Sequence, residues 1–254
     1  MEIRWGEKSR NLLKVEDLLK NVESDTKLVV LPETFSTGFP SPDNISLIKE
    51  LAEPDDGQTI KALRKLSEGY GYAITGSFLA YDSGCFYNRI FFIYPDGDVK
   101  FANKRHLFAY GGENKIFKPG NSRLTVNYLG WNICLIVCYD LRFPVWCRNV
   151  NNDYDIMVAV ANWPVSRINV WETLLKARAM ENSAYVCGVD CKGIDTRGSE
   201  YNGSSHLFDY KGNDLALAIN DSPLLYASLN YEKLLDYREK FPVWKDNDYF
   251  ELKI

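Results

Sequence analysis

Apolar residues recur along this chain at two spacings, and the spacing changes from element to element. In residues 11–21, NLLKVEDLLKN, Leu12, Leu13, Val15, Leu18 and Leu19 fall on one stripe with the charges opposite, which predicts an amphipathic helix. Residues 27–31 follow as a short apolar strand, ended by Pro32-Glu33, and 34–40 read as a loop. Helical spacing returns over 56–69, with Ile60, Leu63 and Leu66 on the buried side, and strand character over 72–79. The segments 88–94 and 99–104 flank Pro95-Asp96-Gly97-Asp98, a hairpin turn signal. A second hairpin pairs 123–128 with 131–137 around Leu129-Gly130.

The second half repeats the alternation. Residues 155–161, DIMVAVA, form an apolar strand that stops at Asn162-Trp163-Pro164. A helix over 170–183 places Trp171, Leu174, Leu175 and Ala179 at core spacing, and 184–189 is again a strand. Shorter strands are expected near 204–210, 215–219 and 225–229, then a helix over 231–240 and an aromatic tail, Phe241-Pro242-Val243-Trp244, suited to docking on another surface. Continuous apolar strands mixed with one-sided helices call for more than one sheet layer.

The stretch Trp131–Arg148 changes character most abruptly. An apolar run, Ile133 to Val137, stops at Cys138, and Pro144 suits the first turn of a helix because its missing N–H needs no partner there. A sulfur at such a junction meets backbone N–H groups and the positive end of a helix dipole, so Cys138 is expected to favour thiolate, the nucleophilic form. Glu33 and Lys104 also sit where strand-like runs give out, and in layered α/β proteins the carboxyl ends of strands build sites. A carboxylate can move the thiol proton, an ammonium can stabilise an oxyanion, and a thiolate can attack a carbonyl. Together they amount to acyl transfer without histidine.

Composition removes several alternatives. The 254 residues carry a formal charge of −4 with acids and bases interspersed, which gives neither a nucleic-acid footprint nor a polybasic membrane patch. No apolar run approaches the ~20 residues of a membrane span. The polar opening, MEIRWGEKSRN, does not read as an export signal, so the six cysteines are expected as reduced thiols in a cytoplasm. No metal site is expected. Cys134 with Cys138, and Cys187 with Cys191, are four apart in strand-like runs, roughly 13 Å and too far to chelate one ion. The two histidines, His106 and His206, are too few for multi-histidine centres.

Three segments resemble the signatures of the nitrilase, or carbon–nitrogen hydrolase, superfamily: Leu31-Pro32-Glu33-Thr34-Phe35, Asn103-Lys104-Arg105-His106-Leu107-Phe108, and Val137-Cys138-Tyr139-Asp140-Leu141-Arg142-Phe143-Pro144. Glu113, six residues before Pro119-Gly120, matches that family's second glutamate. Ala161-Asn162-Trp163-Pro164, Arg178-Ala179-x-Glu181-Asn182 and Arg238-x-x-Phe241-Pro242 fit as well. The resemblance runs in order over nearly the whole chain and is nearest to the omega-amidase branch, whose members deamidate 2-oxoglutaramate and 2-oxosuccinamate.

That resemblance implies one domain over residues 1–254, folded as a four-layer α-β-β-α sandwich and paired as a homodimer or higher oligomer through the helices after Cys138 and in the 170s. It also implies that the family's first strand would precede Met1. It implies Glu33, Lys104 and Cys138 as the catalytic triad, with Glu113 beside them, the Tyr139 N–H at the oxyanion, a small amide as substrate and no cofactor. Phe39, Tyr139, Arg142, Asn162, Trp163 and Arg167 are the candidates for substrate contact. Arg142 and Arg167 are the cations for a substrate carboxylate, although Asp140 stands close enough in sequence to compete for Arg142. Branches that cleave carbamoyl-amino acids or nitriles remain alternatives, as does a scaffold that kept the fold.

Overall fold

In a computed structural model of the chain, which describes residues 1–39, 41, 43–218 and 223–252, the two hairpins expected from the sequence belong to two different sheets. Helix α1 (Lys8–Leu19) leads into β1 (Leu28–Val30), and α2 (Ile45–Leu51) and α3 (Gln58–Tyr70) precede β2 (Ala73–Asp82), β3 (Cys85–Ile93) and β4 (Val99–Asn103). β1 pairs with β2 in parallel, and β2, β3 and β4 follow as an antiparallel meander. The second sheet has the order β11-β8-β7-β6-β5. Its members are β5 (Leu124–Tyr128), β6 (Trp131–Val137), β7 (Ile156–Ala161), β8 (Tyr185–Asp190) and β11 (His206–Phe208).

Between them come the short α4 (Pro144–Cys147), α5 (Ile168–Asn182) and the small ladder of β9 (Lys192–Ile194) with β10 (Glu200–Asn202). The pair β12 (Leu217–Ala218) and β13 (Leu225–Tyr226) and helix α6 (Tyr231–Lys240) complete the described chain. The last position of the strand expected over 215–219 and the end of the loop over 34–40 lie outside the described residues.

Alternation along β6 shows how the layers arise. Ile133, Leu135 and Val137 turn inward to meet Ala73, Ile90 and Phe92 of the first sheet, which makes the core between the sheets. Cys134 and Ile136 turn outward and pack with Met157 and Ala159 against Trp171, Leu175 and Ala179 of α5. On the far side, Ile74, Phe78, Phe91 and Ile93 meet Val15 and Leu19 of α1 and Ile60 and Leu63 of α3. Helices, sheet, sheet, helix is the four-layer α-β-β-α sandwich. Each fully buried side chain of this size contributes about 1.5–3 kcal/mol, so all three interfaces are substantial.

Several sequence expectations change in detail. Leu13 is 60% exposed, because the buried stripe of α1 is Asn11, Val15 and Leu19. Asn11 belongs there because its amide bonds to Arg4 and to the Ser36 carbonyl. Helix α2, capped by the Asn44 side chain on the Leu47 N–H, is an element not expected from the sequence, and it buries Ile48 and Leu51. The aromatic tail includes a 3₁₀ turn over Val243–Asp246, beyond which Asn247 bonds to Arg148, and Phe241 remains 55% exposed. Met1 and Ile3 exchange hydrogen bonds with Lys192 at the start of β9. Among the described residues no helix is long and apolar enough to cross a membrane.

The central strands β6, β7 and β8 run parallel, so their carboxyl ends share one edge of the sheet. Cys138, Asn162 and Asp190 stand at that edge.

Candidate active site

Glu33 lies three residues beyond β1 and is 2% exposed. A carboxylate buried that deeply is costly unless its lone pairs are filled. Here they are: Oε1 accepts from Lys104 Nζ at 3.0 Å and from Asn88 Nδ2 at 2.7 Å, and Oε2 accepts from the Asn162 N–H at 2.8 Å. Asn88 also fixes the other end of the pair, since its carbonyl accepts from the Lys104 N–H at 2.9 Å. Lys104 Nζ donates in addition to Glu113 Oε2 at 2.9 Å, and Glu113, 1% exposed, accepts there from the Phe108 N–H at 2.6 Å. Glu33, Lys104 and Glu113 are therefore one buried cluster, delivered by the ends of β1 and β4 and by a 3₁₀ turn over Glu113–Lys115, and the half-buried Cys138 at the end of β6 faces the same cavity.

Cys138 begins a five-residue 3₁₀ turn, Cys138–Arg142, with φ +47°, a conformation a non-glycine residue seldom adopts. As expected, Pro144 occupies the first turn of the helix that follows, but α4 has only four residues. The expectation of a favoured thiolate is corrected. Burial pushes the Cys138 thiol well above its ordinary value, Glu33 pushes it the same way, and Lys104 opposes them. So short a helix has little dipole to offer, and two carboxylates face a single ammonium. Lys104 itself loses by burial, yet Glu113 and Glu33 together hold its ammonium well above the usual lysine range. Burial raises Glu113 against the pull of Lys104. At rest the sulfur keeps its proton, with a carboxylate beside it to take that proton during attack.

The cluster opens into a cavity of about 150 Å³, which Phe39, Tyr139, Arg142, Asn162, Trp163 and Arg167 all help to line. The Arg142 guanidinium lies over the Trp163 ring at 5.3 Å, and that of Arg167 over Phe108 at 5.4 Å. Neither forms an ion pair among the described residues. Asp140 does not compete for Arg142, because its two oxygens are turned to Val137 and His106. Trp163 is fixed between them: its indole N–H donates to the Arg167 carbonyl at 2.9 Å, and its ring packs on Trp171.

Some of the site was not singled out from the sequence. Asn88 carried a usable signal, since a lone amide in an apolar strand needs a buried partner. Asp195 and Arg197, between β9 and β10, and Tyr201 of β10 reach the cavity. There Asp195 organises the turn by accepting from the Arg197 and Ser199 N–H groups and from the Tyr201 hydroxyl. Only the polar Asp-Thr-Arg-Gly turn hinted at that wall.

Two facing sheets with helices outside, and a buried Glu–Lys–Glu cluster beside a strained cysteine, define a carbon–nitrogen hydrolase. The Carbon-nitrogen hydrolase family profile matches residues 1–239, and the chain belongs to that family of amide-hydrolysing enzymes. It is 38% identical over 249 residues to omega-amidase YafV of Escherichia coli (strain K12), covering 98% of this chain and 94% of that protein. The 2-oxoglutaramate amidase of Bacillus subtilis (strain 168) is 27% identical over 248 residues, 96% of this chain and 94% of that one. Among solved structures, a CN-hydrolase superfamily protein from Xanthomonas campestris with an arsenic adduct in its active site superposes with a TM-score of 0.92. It is 36% identical, with 99% of this chain and 96% of that one covered.

Proposed function

We propose that the protein hydrolyses the terminal amide of a small 2-oxo acid amide, 2-oxoglutaramate or 2-oxosuccinamate, to the acid and ammonia through a cysteine thioester. One observation carries the substrate class: two guanidiniums with no acid partner among the described residues share a cavity with the Cys138 thiol and the Glu33 carboxylate. A guanidinium so placed is suited to a carboxylate at the far end of a short substrate. The names of the relatives agree with it.

The chemistry follows from the positions. Glu33 takes the thiol proton as the Cys138 sulfur attacks the amide carbon, which removes the need for a resting thiolate. The oxyanion forms against Lys104 Nζ and the Tyr139 N–H, one of the leading amides that a helical turn leaves without an internal partner. Glu113 Oε1, which has no hydrogen-bond partner among the described residues, accepts from the substrate amide, while Oε2 holds Lys104. Protonated Glu33 passes its proton to the departing nitrogen, and ammonia leaves a thioester. Water then gives a proton to Glu33 and attacks the thioester carbon. Collapse breaks the C–S bond and returns that proton to sulfur, releasing the acid.

Ammonia release from 2-oxoglutaramate, glutamine and N-carbamoyl-β-alanine, with acid and ammonia formed from a simple nitrile, tests the assignment. The highest kcat/KM is expected on 2-oxoglutaramate. A preference for the carbamoyl compound or the nitrile moves the enzyme to another branch, and turnover of none by folded protein leaves a scaffold.

A further inference from the structure

The Glu33 carboxylate is held partly by backbone, and that backbone has an anchor of its own. Its Oε2 accepts from the Asn162 N–H, and the next amide along the chain, Trp163 N–H, donates at 2.7 Å to a second buried carboxyl, Asp190 Oδ1. Asp190 is 1% exposed, ends β8 and lies opposite Ala161 of β7. The β7 ladder stops at Ala161, so the sheet no longer fixes Asn162 and Trp163. Asp190 Oδ1 accepts from the Cys191 N–H as well, at 2.9 Å, and the Asp190 N–H is tied to Ser205 Oγ at 2.9 Å. Asp190 is not among the residues lining the cavity, and no step above uses it.

We propose that Asp190 is a positioning residue: by holding the Trp163 N–H it fixes the adjoining Asn162 N–H on Glu33, and so aims that carboxylate at the Cys138 sulfur. The inference rests on the reading of Glu33 as proton acceptor. What Asp190 supplies is an acceptor oxygen rather than a charge. Burial pushes its carboxyl up to about 8, with the Trp163 and Cys191 amides opposing and Glu33 reinforcing. Its second oxygen, Oδ2, has no partner among the described residues, so an amide nitrogen in that place breaks no bond.

Asp190→Asn and Asp190→Ala separate the possibilities in steady-state ammonia release. Loss of the acceptor in Asp190→Ala should lower kcat roughly 10- to 100-fold, the scale of a misplacement near 1 Å, with KM moved less than about threefold and Asp190→Asn within about threefold of the parent throughout. If Asp190→Ala does not fold, Asp190→Ser, whose hydroxyl stops short of the Trp163 amide, takes its place with the same expected loss. Hydrogen exchange over residues 160–164 reads the anchoring without turnover: protected in the parent and in Asp190→Asn, faster in the Ala or Ser variant. A parent that exchanges as expected but turns over no amide refutes the reading of Glu33 and not the anchor. The proposal itself is overturned by a folded Ala or Ser variant with parental kcat and exchange, by an Asn variant as slow as they are, or by a loss confined to KM.

Discussion

Asp140 and His106 meet twice at 2.8 Å, once through the His106 backbone N–H and once through its Nδ1. The same carboxylate takes the Val137 N–H on its other oxygen at 3.1 Å, so it ties the cysteine's turn to the loop that leaves Lys104. His106 is further clamped by stacking on Phe143 at 3.7 Å. A third group thus ties the segment of the nucleophile to the segment of the ammonium across the two sheets. Asp140→Asn cannot accept on both sides and must give up a bond to Val137 or to His106. Losing one charged hydrogen bond costs about 1.5–3 kcal/mol, which for a chain of this size lowers Tm by roughly 3–10 °C. Thermal melts alongside kcat check it, and parental values for both would make Asp140 a bystander.

The corrected state of the thiol gives a sharper test of Glu33 than turnover alone. Glu33→Gln should lower kcat by roughly 10²–10⁴ through loss of the base. Because burial and Glu33 keep the proton on Cys138, removing the Glu33 charge should bring the thiol down toward its ordinary value, so the same variant should alkylate faster with iodoacetamide near neutral pH while it turns over more slowly. Alkylation that slows along with turnover would mean that Glu33 does not help to hold the thiol protonated. Cys138→Ala should fall by on the order of a million-fold, whereas Cys134→Ala and Cys147→Ala, altering buried packing, should keep most activity in whatever fraction folds.

Much of this arrangement was legible in the residues. Strand ends at Glu33, Lys104 and Cys138 followed from where apolar runs stop, and one-sided helices beside apolar strands called for more than one sheet layer, while the four-layer order came from the family resemblance. What stayed hidden depends on contacts between distant segments. Glu33 meets Asn162 across 129 positions, and Asn88 meets Glu33 across 55. No local pattern encodes such pairs. The thiolate expectation failed for the same reason: the turn after Cys138 was read from its neighbours, whereas the burial that raises the thiol, and the Glu33 carboxylate that reinforces it, depend on the other sheet.

Gly120 shows how closely the Lys104 segment is packed. A Cβ there would lie 2.1 Å from the Asn103 carbonyl oxygen, and the Gly120 N–H already donates to the Lys104 carbonyl at 2.8 Å. Gly120→Ala must push the end of β4, at about 1–3 kcal/mol as for other overpacked sites, and should reduce kcat by displacing Lys104. Gly69→Ala is the control, since nothing lies within 4 Å of a Cβ in that part of α3. It should be neutral or stabilising by about 0.4–1 kcal/mol. Equal melting temperatures for the two variants would mean that the backbone beside Lys104 yields freely.

Substrate choice is the property that Arg142 and Arg167, without an acid partner among the described residues, should govern. Arg142 stacks on Trp163 and Arg167 on Phe108, so each is held by an aromatic face that leaves its N–H groups available to a ligand. A bidentate guanidinium–carboxylate contact is directional in a way that a lysine contact is not. Arg142→Met and Arg167→Met keep much of the apolar stem and remove the charge. If one of them holds the carboxylate of 2-oxoglutaramate, its loss should raise KM for that substrate roughly 10- to 100-fold, as about 1.5–3 kcal/mol from a charged hydrogen bond requires. Activity on a small neutral amide should fall far less, because the attack at Cys138 does not involve either arginine. Comparing the two substrates in each variant isolates recognition from chemistry. Should both variants keep the parental discrimination between charged and neutral amides, carboxylate recognition lies elsewhere in the cavity, with Arg197 the next cation on its wall.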